Sequence, residues 1–175
     1  MMALRPGRCV RRIKRPWTRV SQRKPKKSYV VGVPYPRIHN FEMGDKNKDF
    51  DVQVLLKVEN SVQIRENSLE SARIVANKYI ERTLGKEGFF IKILKYPHQI
   101  LREHSLATGA GADRFSMGMR KAFGKPKGRA AIVHSGETLM LIKVNKDQVK
   151  IAKEALRRSS TKLPTPCKII VEELK

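Results

Sequence analysis

Between Gly109 and Arg129 the chain reads GAGADRFSMGMRKAFGKPKGR. This stretch cannot be a buried strand or a core helix, so the other elements must be arranged around it. Glycines stand at 109, 111, 118, 124 and 128, cations at Arg114, Arg120, Lys121, Lys125, Lys127 and Arg129, and no acid follows Asp113. A residue without Cβ lets the main chain bend at φ > 0 and bring its N–H groups close to a partner. The interleaved cations make a polyanion the natural partner. The alternative is a solvated loop whose charges serve solubility alone.

The rest of the chain argues for the polyanion. Its 175 residues suffice for one ordinary domain with a core, plus an arm or a long loop. The formal net charge is +22, and self-repulsion on that scale opposes compaction unless a counter-charge is supplied. Nucleic acid supplies one. A membrane surface is the other possibility, but no apolar run reaches the roughly 18 residues a span requires, and no amphipathic anchor is evident. The basic N-terminus lacks the apolar segment and cleavage site of a secretory signal. Cys9 and Cys167 lie far apart, and His39, His98, His104 and His134 share no ligand spacing, so neither a metal nor a cofactor is expected.

Residues 1–41 contain no Asp or Glu but carry Arg5, Arg8, Arg11, Arg12, Lys14, Arg15, Arg19, Arg23 and Lys24 among their cations. Five prolines forbid a continuous helix, which predicts an extended basic arm. Trp17 among those charges is placed to stack on an unpaired base, or else to anchor the arm on the domain; both remain open.

From residue 42 onward an α+β domain is expected. Asp51–Val58 alternates apolar and polar positions as a half-buried strand does. Asn67 with Glu70 reads as a capping box opening a helix that closes at Gly85. Its Arg73, Lys78, Glu81 and Arg82 read as solvated charge. Phe89–Tyr96 reads as a strand stopped by Pro97, and Ile100–Glu103 leads into a glycine-rich basic loop spanning 102–129. Ala130–His134 and Thr138–Val144 around Ser135-Gly136 suggest a hairpin. Asp147 caps a second helix to about Arg158, and Lys168–Val171 forms a last strand. Two helices on one face of a mixed or antiparallel sheet would cover the core.

Catalytic constellations are missing. There is no G-x-S-x-G, H-E-x-x-H or Walker A spacing, and the acids are few and dispersed. Asp113 beside Arg114 reads as ordering the loop by an ion pair, and Glu172-Glu173 as surface charge. Lys and Arg in this abundance neutralise phosphates, and Arg adds the bidentate bonding and stacking that suit folded RNA.

Ala110–Arg114 followed by Met117–Gly128 resembles the universal large-subunit ribosomal protein family, called L-sixteen in bacteria and L-ten-e in archaea and eukaryotes. Arg5-Pro6, Arg8-Cys9, Val33-Pro34, Ser71-Ala72-Arg73, Ala76–Tyr79 and Glu154–Arg158 resemble its archaeal and eukaryotic branch, so the likeness covers nearly the whole chain. It implies an α/β-hammerhead type of fold and a place in the cytoplasmic ribosome, on large-subunit rRNA near the peptidyl transferase centre. The partners implied are that rRNA, tRNA and neighbouring ribosomal proteins, with no membrane and no homo-oligomer. The arm cations with Trp17, and Arg114, Arg120, Lys121, Lys125, Lys127 and Arg129, are expected on rRNA. Residues 102–113 would point toward tRNA, bringing His104, Ser105, Gly109, Gly111 and Asp113 near it. The rival readings are a free RNA- or DNA-binding protein of chromatin or assembly type, and an RNA-modifying enzyme, for which no constellation is present.

Overall fold

Strand β2 (Val52–Val58) is paired along both of its edges. In the computed structural model, which describes Ile13, Val30, residues 32–120 and residues 122–174, it runs antiparallel to β7 (Thr138–Val144) and β8 (Cys167–Glu173). Val54 faces Ile142 on one side and Val171 on the other. The alternation read from the sequence holds except at one position: Val52, Val54, Leu56 and Val58 are buried and Gln53 and Lys57 half-exposed, but Leu55 on the opposite face is buried as well. Outward from β7 come β4 (Phe90–Ile93) and β1 (Glu42–Gly44), giving a five-stranded sheet in the order β1-β4-β7-β2-β8. A second, three-stranded sheet has the order β3-β6-β5, from β3 (Val62–Arg65), β6 (Lys125–Val133) and β5 (Gln99–Glu103). The described residues are therefore α+β with antiparallel sheets, but with two of them rather than one.

The expected hairpin across Ser135-Gly136 does not form, since β6 and β7 belong to different sheets. Residues 134–137 instead carry the chain from the small sheet to the large one, beside residues 59–61, which make the reverse crossing from β2 to β3. The two crossings are tied together. The Ser135 N–H donates to Ser61 Oγ (3.0 Å), Ser135 Oγ donates to the Glu59 carbonyl (2.5 Å), and the Gly136 N–H donates to the Val58 carbonyl (2.8 Å). Strand β4 stops at Ile93 rather than Tyr96, with one further bond beyond it, from the Leu94 N–H to the Leu139 carbonyl (2.9 Å).

Helix α1 (Glu66–Leu84) buries Leu69, Ala72, Ala76 and Ile80, and α2 (Val149–Ser160) buries Ala152, Ala155 and Leu156. These sit at the i, i+3, i+4 spacing of one helical face. Alanines on both faces let the helices approach closely, and Ser159 Oγ donates to the Ala72 carbonyl (3.0 Å) inside the contact. Each fully buried Leu or Ile contributes roughly 1.5–3 kcal/mol. Neither expected N-cap is used. Strand β3 feeds α1 directly, so the extended Arg65 is its cap and Asn67 lies within the helix. Asp147 falls in a single 3-10 turn (Lys146–Gln148) ahead of α2. The C-terminal stop of α1 is as expected: Gly85 at φ 74° donates its N–H to the Glu81 carbonyl (3.0 Å). Arg157 and Arg158 occupy the last turn of α2, where cations favour the helix dipole.

The apolar faces of both sheets and both helices join in one cluster, which also takes in Ile38 ahead of β1. Cys167 packs at its margin, where burial, with a smaller effect from Glu59, pushes the thiol up to about 11. A thiol so rarely ionised at neutral pH is a poor nucleophile.

Candidate nucleic-acid interface

Strands β5 and β6 form the stem of the glycine-rich excursion. Their register runs from Gln99↔Ala130 to Glu103↔Lys125, with an irregularity between Leu101 and Arg102. The segment expected as loop from 102 to 129 is thus strand at both margins, and the loop itself is 104–124. Gly128 accordingly sits in a strand without positive φ. At the top of the stem Gly124 has φ +78°, and a Cβ there would lie 2.6 Å from the Glu103 carbonyl carbon, so only glycine fits.

Above the stem the loop folds on its own backbone. Gly111, in the left-handed region, opens a 3-10 turn over Ala112–Arg114, and the Ser116 N–H donates to the Ala112 carbonyl (2.9 Å). A second turn is closed by the Arg120 N–H donating to the Met117 carbonyl (3.2 Å). His104 Nε2 lies 2.6 Å from the Gly118 carbonyl, the geometry of a ring N–H donating across the loop. Asp113 and Arg114 share no ion pair among the described residues. The backbone turn, not that pair, orders the segment.

Of the residues expected on rRNA, Arg114, Arg120, Lys125 and Lys127 are exposed on this excursion. Arg129 is partly committed: its Nε donates to the Pro34 carbonyl (2.9 Å), fastening the N-terminal segment beside β6. Arg5, Arg8, Arg11, Arg12, Lys14, Arg15, Trp17, Arg19, Arg23, Lys24 and Lys121 lie outside the described residues. Of those expected near tRNA, Ser105, Gly109, Gly111 and Asp113 are exposed, and His104 is half-buried.

Two features escaped the sequence reading. One is apolar: Phe115, Met117, Met119 and Phe123 are exposed among the cations. The Arg102 guanidinium lies over the Phe123 ring at 4.2 Å, and its Nη1 donates to the Gly124 carbonyl (2.8 Å). The aromatic and methionine content of this stretch was the available signal, but those residues are interleaved with cations and glycines that give the segment the composition of a solvated loop. The other is a basin of about 630 Å³ between the helices, lined by Val75, Lys78, Tyr79, Glu81, Arg82 and Arg158. Arg158 lies over the Tyr79 ring at 4.2 Å, and its Nε donates to Glu154 (2.9 Å). Lys78 and Arg158 are eighty positions apart, and no local pattern connects them.

The geometry defines a basic α+β protein that presents a cationic, glycine-bearing loop on a two-stranded stem, suited to binding a polyanion. Residues 17–170 match the family described as Ribosomal protein L16p/L10e. Large ribosomal subunit protein uL16 of Archaeoglobus fulgidus is 51% identical over 172 residues, covering 98% of this chain and 95% of that protein. The uL16 of Methanococcus maripaludis is 50% identical over 171 residues (97% and 95%), and that of Staphylothermus marinus 46% over 175 (99% and 97%). The chain belongs to the L16p/L10e family of ribosomal proteins, whose members are structural components and not enzymes.

Proposed function

We propose that this chain is a structural constituent of the large subunit of the cytoplasmic ribosome, binding large-subunit rRNA near the peptidyl transferase centre and helping to position tRNA. The observation that carries this reading is the family match, which runs through the whole β5–β6 stem and its excursion. Arg114, Arg120, Lys125 and Lys127, exposed there, hold rRNA phosphates together with Lys121, while Arg129 also ties the arm to β6. The arm of residues 1–41 adds its cations and Trp17 to the same RNA, and residues 42–175 form the domain that carries the loop. Within the loop, His104–Asp113 reaches toward tRNA: this half carries one formal charge, so it approaches a neighbour without clamping it. The fold is read as the α/β-hammerhead type.

Sucrose-gradient fractionation of a cell lysate in moderately high salt tests the proposal. The protein is expected to sediment with the large subunit. Recovery only in free fractions, across the salt range in which other large-subunit proteins stay bound, overturns it.

A further inference from the structure

Helix α1 presents two faces. Leu69, Ala72, Ala76 and Ile80 go into the core, while Val75, Lys78, Tyr79 and Arg82 follow the i, i+3, i+4, i+7 spacing of an adjoining face and line the basin that Arg158 closes from α2. The floor is apolar and the wall is cationic. Lys78 and Arg82, both exposed, stand one helical turn apart, a placing of like charges that disfavours the helix. Neither meets a carboxylate among the described residues. The other arginines of the two helices each have one: Arg73 pairs with Glu70, and Arg157 and Arg158 share Glu154. Glu81, the one acid lining the basin, accepts instead from Asn77 Nδ2 (3.0 Å). An occupant therefore has to answer an excess of cations around an apolar floor. The chain's own arm is excluded by its charge, since residues 1–41 hold twelve cations and no acid. RNA fits poorly as well: the Tyr79 ring already carries Arg158, and α1 sets Glu66, Glu70 and Glu81 against Arg73, Lys78 and Arg82, where the excursion is almost purely cationic. A Tyr and Arg centre within a rim of mixed charge is the composition of a protein contact.

We propose that the α1 basin docks an acidic segment of another protein, with its carboxylates on Lys78, Arg82 and Arg158 and an aliphatic side chain between them on Val75 and Tyr79. The centre of the contact is set in advance. Arg158 lies over Tyr79 at 4.2 Å and its Nε donates to Glu154 (2.9 Å), so the guanidinium is ordered before a partner arrives and little side-chain freedom is lost on docking. Its Nη groups suit a carboxylate, which two N–H donors hold in a fixed plane. Lys78 and Arg82 gain the counter-charge that the fold does not give them. None of these residues lies in the excursion or the arm, so the contact is independent of the rRNA reading above.

Fluorescence anisotropy tests the docking, with the full-length protein titrated into a short labelled peptide of Glu and Asp that carries leucine at its centre. The buffer holds about 0.15 M KCl, where exposed charges more than roughly 8 Å apart are largely screened. Lys78→Gln with Arg82→Gln is expected to weaken binding on the order of 10-fold. Arg158→Lys keeps the charge but loses the planar fork, and weakens it several-fold. Serine in place of the peptide's leucine weakens it too, because the apolar floor is then left uncovered. Lys150→Gln with Lys153→Gln removes the same charge from exposed positions of α2 outside the basin and leaves the affinity at the wild-type value. Equal peptide affinity for the two double variants, both melting like wild type, would mean that the peptide senses net charge alone and overturns the proposal. So does a basin variant that keeps the peptide but loses affinity for protein-free large-subunit rRNA, which makes this face an RNA contact. Absence of saturable peptide binding by the wild type overturns it as well.

Discussion

Gly124 and Gly111 both stand at positive φ, yet a side chain at the two positions meets different surroundings. At Gly111 a Cβ finds nothing within 4 Å, and the cost is the left-handed backbone alone, roughly 1–2 kcal/mol. At Gly124 the same strain is joined by a collision with the backbone of Glu103 and His104, at 2.6 and 2.8 Å, which the paired stem cannot relieve without opening. Gly124→Ala is therefore expected to lower the urea unfolding free energy by about 3 kcal/mol or more, with Gly111→Ala near 1 kcal/mol. Gly111→Val and Gly118→Val should impair function more than stability. Equal losses for Gly124→Ala and Gly111→Ala in urea melts would show that the stem yields freely. Composition made it legible that glycines matter here. It did not say which glycine is wedged against a neighbouring strand, because that neighbour, Glu103, lies twenty-one residues away. Gly128 looked like its fellows in sequence and turned out to be ordinary strand.

The elements were legible where their signal is local. Alternation located β2, an apolar run beside a turn located β7, and a glycine marked the end of α1. What failed was pairing, which depends on contacts distant in sequence: Ala130–Val133 and Thr138–Val144 flank a good turn but join separate sheets, since β3 and β5 claim both edges of β6. The short β1 and β3, of three and four residues, were too brief to show a period. The corner where the chain changes sheets is consequently the element on which the arrangement turns. Glu137 holds it, accepting from Lys95 Nζ and from the His134 N–H, each at 2.8 Å, and these bonds keep its carboxyl below the ordinary 4.5. A carboxylate whose pKa is depressed on folding adds stability that is present above its unfolded pKa and is lost as pH falls through the folded one. Glu137→Gln is expected to cost on the order of 1 kcal/mol at pH 7, given its partial exposure. The gap between variant and wild type should close as pH drops below about 4.5, where the wild-type carboxylate also takes up a proton. A gap that persists unchanged to pH 3 in denaturant melts would place the effect in packing rather than charge.

Over the whole molecule charge is distributed unevenly, and that unevenness governs how the free protein behaves. Residues 1–41 hold twelve of the 38 Lys and Arg and none of the 16 acids, so +12 of the net +22 lies in less than a quarter of the chain. Residues 104–129 hold a further +5. Both regions face a polyanion in the proposed function, and without one they repel themselves and the domain between them. Added salt shortens the screening length from about 10 Å at 0.1 M to about 3 Å at 1 M and relieves that repulsion. The melting temperature of the isolated protein is thus expected to rise by several degrees as KCl goes from roughly 0.05 to 0.5 M. Bound to rRNA, the trend reverses in sign: the complex gains stability in proportion to the logarithm of ligand concentration over Kd, and salt weakens that Kd steeply. Melting curves by circular dichroism for the free and RNA-bound protein should converge from opposite directions as salt rises. A free-protein melting temperature that stays flat or falls over the same range would mean that the excess charge exerts no strain on the fold, and that the cations are spaced widely enough to be indifferent to one another without RNA.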